Sequence, residues 1–443
     1  MDNKQHFQVI VVGAGLAGLT AAVSLLKNKI DILIVEQENR VGGRIKSDLV
    51  GNFPCNLGAQ WIHTGIHPAV DPYIEKLQTQ ETNKVVVVWD GNPIQIKGED
   101  FFGDMPISDQ AKVDFILASN QMRKDADILF QDVKCVFDLT PNNALWEKLE
   151  KQTITEYLSP YHPEIMKLWG DRVSAGFGGT PDDISALDLV AWYRGNPFIP
   201  MAILKGGNQK VAEVMLDDCK KEGAEIALGT KIKEIVQDKE NIKVYCDNGS
   251  EYSADYVVVT VPASMANDIV TGLSPKKREA LLAVQYNPLV EIGMHVQNIP
   301  GGETMSGFIF FGKRKAAAGG LNQTGEVAGN PDNGTVISMT VTDKEILKLP
   351  DKEMLANVAE DMKMAYPDFT PEKDILEYRI QRWEEGEVHM TPGFLSKYRD
   401  LLKEPAGNIY FAGDYVSDFP TWGGAVWSGE KAAKEIIRLQ ENE

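Results

Sequence analysis

The chain has 443 residues, 43% hydrophobic and 25% charged, with 64 acidic against 45 basic side chains and a formal net charge of −19 at pH 7. That length exceeds one ordinary core and suits two interwoven units, while the acidic balance argues against nucleic acid or an anionic membrane as partner. No apolar stretch reaches spanning length, and the first residues, MDNKQHF, lack the basic and apolar regions of a signal peptide, so a soluble cytoplasmic protein is expected. Cys55, Cys135, Cys219 and Cys246 show neither CxxC spacing nor a metal pattern, so reduced, mostly buried thiols and no metal are expected.

The first element is the most informative. Residues 9 to 18 read VIVVGAGLAG: a β-branched run of the kind buried in a parallel sheet, then Gly13-x-Gly15-x-x-Gly18, then apolar residues at helical spacing from Leu16 to Leu26. Gly13 permits the tight turn, Gly15 lets backbone approach a pyrophosphate, and Gly18 lets the helix pack on the strand. The phosphates would then meet the helix N-terminus. Glu36 ends the second strand, ILIVE, where a carboxylate accepts hydrogen bonds from ribose hydroxyls. Strand, glycines, helix, second strand and acid in register read as a dinucleotide-binding unit.

Two further stretches follow: Gly42-Gly43-Arg44, and Gly58-Ala59-Gln60-Trp61-Ile62-His63. With them the chain resembles the flavin-containing amine oxidase superfamily, nearest in motif to its spermine and polyamine oxidase branch. The resemblance implies FAD, with Gly42 and Gly43 lying against it and Arg44 near its phosphates, a bidentate partner that Lys does not replace. Standing alone, Arg44 reads as a surface salt-bridge residue. In that branch the histidine of GAQWIH faces the substrate, so His63 is a candidate to hydrogen-bond or deprotonate an amine, against a core histidine satisfied by backbone.

Residues 107–170 are helical in pattern and suit an insertion in a substrate domain; Trp192, Tyr193 and Arg194 are candidates to line its cavity. Cofactor-type sequence resumes at Ile203-Leu-Lys-Gly206-Gly207, with a helix from Gln209 to Lys221 and the strands ALGTKIKEIVQ, IKVYCD and YVVVTVP. Here the resemblance implies a backbone contact to adenine around Ile232 and a crossover at Val261-Pro262. The strands VEIGMHV and TVISMTV and a helix over 352–365 suggest a mixed sheet roofing the flavin, and residues 319–333 read as a mobile loop or a rim element. Many family members carry a lysine in the strand that here reads Tyr286-Asn-Pro288-Leu-Val-Glu291, which places Glu291 at or near its position. An exposed strand glutamate is the competing reading. Trp383 matches a tryptophan kept near the flavin, with an ordinary core Trp as competitor. The following stretch, to Pro392-Gly393, has no cysteine, so noncovalent FAD is implied, and the usual tyrosine cage is absent or rebuilt with Trp422.

The C-terminal stretch repeats the theme. A strand over 408–412 ends in Gly413-Asp414, and Trp422-Gly-Gly424-Ala425 precedes a helix expected over 428–439. The resemblance assigns Gly413 and Asp414 to the ribityl and pyrophosphate region, and Gly424 and Ala425 to a helix start aimed at the flavin pyrimidine ring, where it suits negative charge.

The fold expected is α/β with α+β character: a Rossmann-like FAD-binding domain discontinuous in sequence (1–85, 200–266, 376–443) and a mixed-sheet plus helical substrate domain (86–199, 267–375). The function implied is amine oxidation with O2 as acceptor. Three alternatives stay open: an L-amino acid oxidase, with Arg172 or Arg194 clamping the carboxylate; a dehydrogenase or desaturase with another acceptor; and a non-catalytic FAD-binding protein. Oligomeric state is not legible.

Overall fold

The parallel strands of the first sheet stop in one row, and this places the site. The computed structural model describes residues 6–441 apart from 81–84, 95–104, 140–142, 196–200, 240, 300–306, 313 and 323–333. Within them, a seven-stranded sheet runs in the order Glu225–Ala227, Ile32–Val35, His6–Val12, Glu251–Val259, Ile242–Cys246 and Ile232–Gln237, with Ile409–Phe411 also paired to Glu251–Val259. Val12 registers with Val35 and with Val259, and Val259 with Phe411, all parallel. Consequently Gly13, Glu36, Thr260 and the Gly413-Asp414 turn leave the sheet at one edge, outside the carboxyl ends of the strands, where open α/β sheets bind ligands. These strands are apolar on both faces, as parallel strands covered by helices require; Val9 to Val12 and Ile32 to Val35 are all buried.

Helices Leu16–Lys27 and Trp422–Gln440 cover one face and touch closely: a Cβ at Gly429 would lie 2.1 Å from the Ala17 carbonyl oxygen. The last helix begins six residues before the expected 428. Thr421 caps it by accepting a hydrogen bond from the Gly424 amide, and Gly423 and Gly424 lie in its first turn, where their neighbours leave no room for a side chain.

A second seven-stranded sheet is mixed, in the order Ile375–His389, Gln285–Val296, Thr335–Val341, Ala317–Asn322, Gly307–Phe311, Val85–Trp89 and Asn92–Ile94. One boundary is corrected here. The third cofactor segment was expected to start at 376, yet Ile375–His389 pairs antiparallel with Gln285–Val296 along most of its length, so residues up to 389 belong to this second sheet. A bulge between Asn287 and Leu289 bends that pair beside Trp383. The expected loop over 319–333 is strand up to Asn322, and 323–333 lie outside the described residues.

Helices Asp109–Leu129, Ala144–Lys151, Ile154–Leu158, Pro163–Phe177 and Ala186–Gly195 form the expected helical part. Ser108 and Asn143 cap the first two, and Thr153 with Glu156 makes a reciprocal capping box on the third. Phe115 stacks on Trp169 at 5.9 Å, and Trp169 meets Trp192 edge-on at 5.9 Å, which joins two of these helices to a third.

Candidate active site

Along the shared strand edge runs a cavity of about 1050 Å³, at the top of the roughly 300–1,000 Å³ range of small-molecule and cofactor sites. It starts at Glu36 and Ile232, passes Gly13, Gly15, Gly42, Gly43 and Arg44, and reaches Gly58, Ala59, Gln60, Trp61, His63, Glu291, Trp383, Gly413, Asp414, Trp422 and Ala425. Gly18 and Gly424, both counted with the cofactor-binding glycines, do not line it. A Cβ at Gly18 would sit 2.0 Å from the Gly13 carbonyl oxygen, and one at Gly424 2.2 Å from the Ser417 hydroxyl, so both are there for packing. Trp192 lines the cavity, whereas Tyr193 and Arg194 are absent from its wall; the Arg172 side chain lies outside the described residues.

The dinucleotide end fits a diphosphate. Gly13 has φ +104° and donates its amide to the Val35 carbonyl at 2.8 Å, making the turn. Gly15 is the helix N-cap, and a Cβ there would meet nothing within 4 Å, so backbone is open to a ligand exactly where four helix amides lack intrahelical partners. The first helical turn carries no acid. Glu36 accepts hydrogen bonds from Ala14 (2.7 Å) and Glu38 (2.8 Å) backbone amides. A carboxylate has about four lone-pair sites, so each oxygen keeps one for a ribose hydroxyl. Arg44 is not a free surface cation: it donates to Asp414 Oδ1 at 2.6 Å and to the Gly386 carbonyl at 2.8 Å, tying the N-terminal unit to both later segments.

At the other end the walls are aromatic and acidic. His63 and Trp422 are 5.8 Å apart, and His67, which the sequence reading missed, packs 5.1 Å from Trp422 and 5.3 Å from Phe137. Burial holds both imidazoles neutral, His63 down to about 4 and His67 to about 3. His63 Nδ1, Trp422 Nε1 and the Tyr415 hydroxyl are buried without a hydrogen-bond partner, three polar groups at the cavity that a ligand can satisfy. Trp383 is held in place by its indole N–H, which donates to the Leu57 carbonyl at 2.8 Å.

Glu291 is 3% exposed. It accepts hydrogen bonds from Ser338 (3.0 Å) and Thr340 (2.8 Å), and no ion pair reaches it among the described residues. Burial pushes its carboxyl up to about 7. Glu387, also missed, lines the same cavity; burial pushes it up to about 8, with Arg44 opposing and Asp414 adding to the rise. A sequence signal for this wall existed. Ser338, Thr340 and Thr342 alternate with buried apolar residues, the period of a strand with one polar face, and all three line the cavity.

The Trp422 wall rests on a buried ion network. Asp418, fully buried, pairs with Arg399 at 2.9 Å and Lys403 at 2.6 Å; both cations also bind Asp138, which Lys431 approaches at 3.6 Å. The Asp418 amide donates to the Phe137 carbonyl at 3.1 Å, so the loop carrying Phe419 and Trp422 is clamped to the helical part.

Comparison with known proteins agrees with this geometry. The family model described as flavin containing amine oxidoreductase matches residues 16–437. Polyamine oxidase 4 of Oryza sativa subsp. japonica is 24% identical over 96% of this chain and 88% of its own. An L-amino acid dehydrogenase of Synechocystis sp. is 25% identical over 99% and 96%. Among solved structures, wild-type putrescine oxidase bound to putrescine superposes with a TM-score of 0.81 at 18% identity, covering 98% of this chain and all of that one (100%), a likeness of fold.

Proposed function

The chain belongs to the flavin containing amine oxidoreductase family, and from that premise we propose that it holds FAD without a covalent bond and oxidises a small amine at its C–N bond. The chemistry that FAD supplies when bound is acceptance of a hydride equivalent from the carbon beside nitrogen, which leaves an imine for hydrolysis, and delivery of the electrons to O2 as H2O2. What carries the reading is one cavity that joins an opening for a diphosphate at Gly15 to a buried carboxyl at Glu291 that makes no ion pair among the described residues.

The residues divide the work. Gly13, Gly15, Gly42, Gly43, Arg44, Gly413 and Asp414 hold the diphosphate and ribityl parts, Glu36 and Ile232 the adenosine, and the start of helix Trp422–Gln440 the pyrimidine edge. Glu291 attracts the substrate ammonium and takes its proton at a carboxylate oxygen, a base near neutral pH as such a role needs. His63, neutral, orients the amine through Nδ1. Trp61, Trp383 and Trp422 exclude water and confine the substrate. Segments 1–85, 200–266 and 390–443 are read as the cofactor unit, the remainder as the substrate unit. Cys55, Cys219 and Cys246 are buried free thiols, which supports a reducing, cytoplasmic setting.

An amino acid substrate would need a cation for its carboxylate. Among the described cavity residues Arg40 pairs with Glu38, Arg44 with Asp414 and Arg382 with Asp351, and Lys231 stands beside Ile232 at the adenosine end, so amines are preferred. A second reading, an acceptor other than O2, is supported by Glu291, which the sequence resemblance sets at or near the position of a lysine that many family members carry.

The test is anaerobic titration of the purified flavoprotein with monoamines, polyamines and L-amino acids, followed by air. Amines are expected to bleach the flavin band and air to restore it quickly; slow recovery selects the second reading, and no bleaching overturns both. Noncovalent attachment predicts that acid precipitation leaves all flavin in the supernatant. Gly15→Val fills the space where nothing lies within 4 Å, so it is expected to purify colourless with an unchanged far-UV CD spectrum; a yellow Gly15→Val protein would move the diphosphate elsewhere.

A further inference from the structure

Most described glycines have a plain structural reason. Either φ lies in the left-handed region, as at Gly13, Gly42 or Gly178, or a side chain would collide with a neighbour, as at Gly18, Gly58 or Gly429. Three have neither, Gly15, Gly170 and Gly176: a Cβ on Gly170 would make ordinary contact with Pro181 at 3.4 Å, whereas one on Gly15 or Gly176 would meet nothing within 4 Å among the described residues. Gly15 and Gly176 both line the one large cavity. Gly15 leaves room for a diphosphate. Gly176 lies in the last turn of helix Pro163–Phe177, where glycine is a poor choice because it gives up the most backbone freedom. No close approach demands it there.

Resting on the amine-oxidising reading above, we infer that Gly176 opens a subsite for a bulky apolar substituent of the substrate amine, remote from the nitrogen. From the helical part of the chain, 107–195, the described cavity wall consists of Gly176, Gly178 and Trp192, none of them charged. Trp192 is backed by Trp169 and, behind it, Phe115, so the indole is a braced apolar surface suited to an aryl or alkyl group. A Cβ at Gly178 would lie 3.0 Å from Asn287 Cβ, so the wall there runs close against the second sheet. Across the strand pair from Asn287 stands Glu387, whose carboxyl burial pushes up to about 8, toward the uncharged form. Nitrogen at Glu291 and hydrocarbon at Gly176 define an arylalkyl or long alkyl monoamine as the preferred class.

Steady-state kinetics of the holoenzyme with ethylamine, 2-phenylethylamine and 4-phenylbutylamine tests this. In wild type kcat/KM is expected to rise with the size of the substituent. Gly176→Leu, which suits a helix and meets no atom at Cβ, is expected to lower kcat/KM for the two aryl amines roughly tenfold to a hundredfold, through KM. Ethylamine turnover and flavin content should be unchanged, and Gly176→Ala should fall between. Equal losses on ethylamine and aryl amines with flavin retained, or no loss on either, would overturn the subsite and leave the amine reading standing. Wild-type flavin that none of the three amines reduces would overturn the subsite, and flavin that polyamines also fail to reduce would overturn both.

Discussion

Asp418→Ala is expected to lower the stability of the protein by about 3–5 kcal/mol, the range for removing one partner of a buried ion pair. Arg399 and Lys403 are about 11% and 9% exposed and would lose their buried counter-charge, while Asp138, at 42%, can answer them only from the surface. The Leu139 amide, which donates to Asp418, would be left without its acceptor as well. Because this clamp sets the loop that carries Phe419 and Trp422, the surviving folded enzyme should also show raised KM and altered tryptophan fluorescence. Urea denaturation of wild type, Asp418→Ala and Asp418→Asn is the check. A loss below about 1 kcal/mol, the scale of a surface pair, would mean that Asp138 alone neutralises both cations.

The second large effect is a pH dependence centred on Glu291. Its carboxyl ionises near 4.5 when unfolded and near 7 when folded, because burial disfavours the charge. Between those values the folded protein holds a proton that the unfolded chain has released. The contribution to stability is therefore complete below pH 4.5 and lost as pH rises through 7, on the order of 3 kcal/mol. Glu291→Gln removes the titration, so the variant apoprotein should be more stable than wild type at pH 8 and comparable at pH 5. Catalysis should move the other way. Wild-type kcat/KM for an amine rises as pH passes 7 and Glu291 becomes a carboxylate, and the variant should lose that limb together with tenfold or more of kcat/KM, within the usual range for a proton-transferring group. An unchanged profile would remove Glu291 from the proton path.

The N-terminal part of the site was legible because it is local. Gly13, Gly15 and Glu36 lie within one strand–helix–strand unit, and the structure brings them to one edge through contacts between near neighbours in sequence. What escaped was decided by distant pairing. Arg44 reads as a surface cation until Asp414, 370 residues on, meets it. Glu387 and His67 look like ordinary polar residues, and their perturbation exists only once other segments bury them. The start of the last helix was misread because Gly423-Gly424 signals a loop in isolation; the neighbours that demand glycine there, His67, Ser417 and Phe419, are contributed by other turns of the chain.

The arrangement of the first sheet also sets a timetable for synthesis. Residues 6–12 pair with 251–259, which in turn pair with 409–411, and the first helix leans on the last. At about 5–20 residues per second, Arg44 waits roughly 20–70 s on the ribosome before Asp414 exists to meet it. The nascent chain meanwhile carries an apolar strand with one edge open and a half-built cofactor cradle, the exposure that chaperones screen. The cavity, lined by residues from Val12 to Ala425, can therefore close only after translation has passed the final strand.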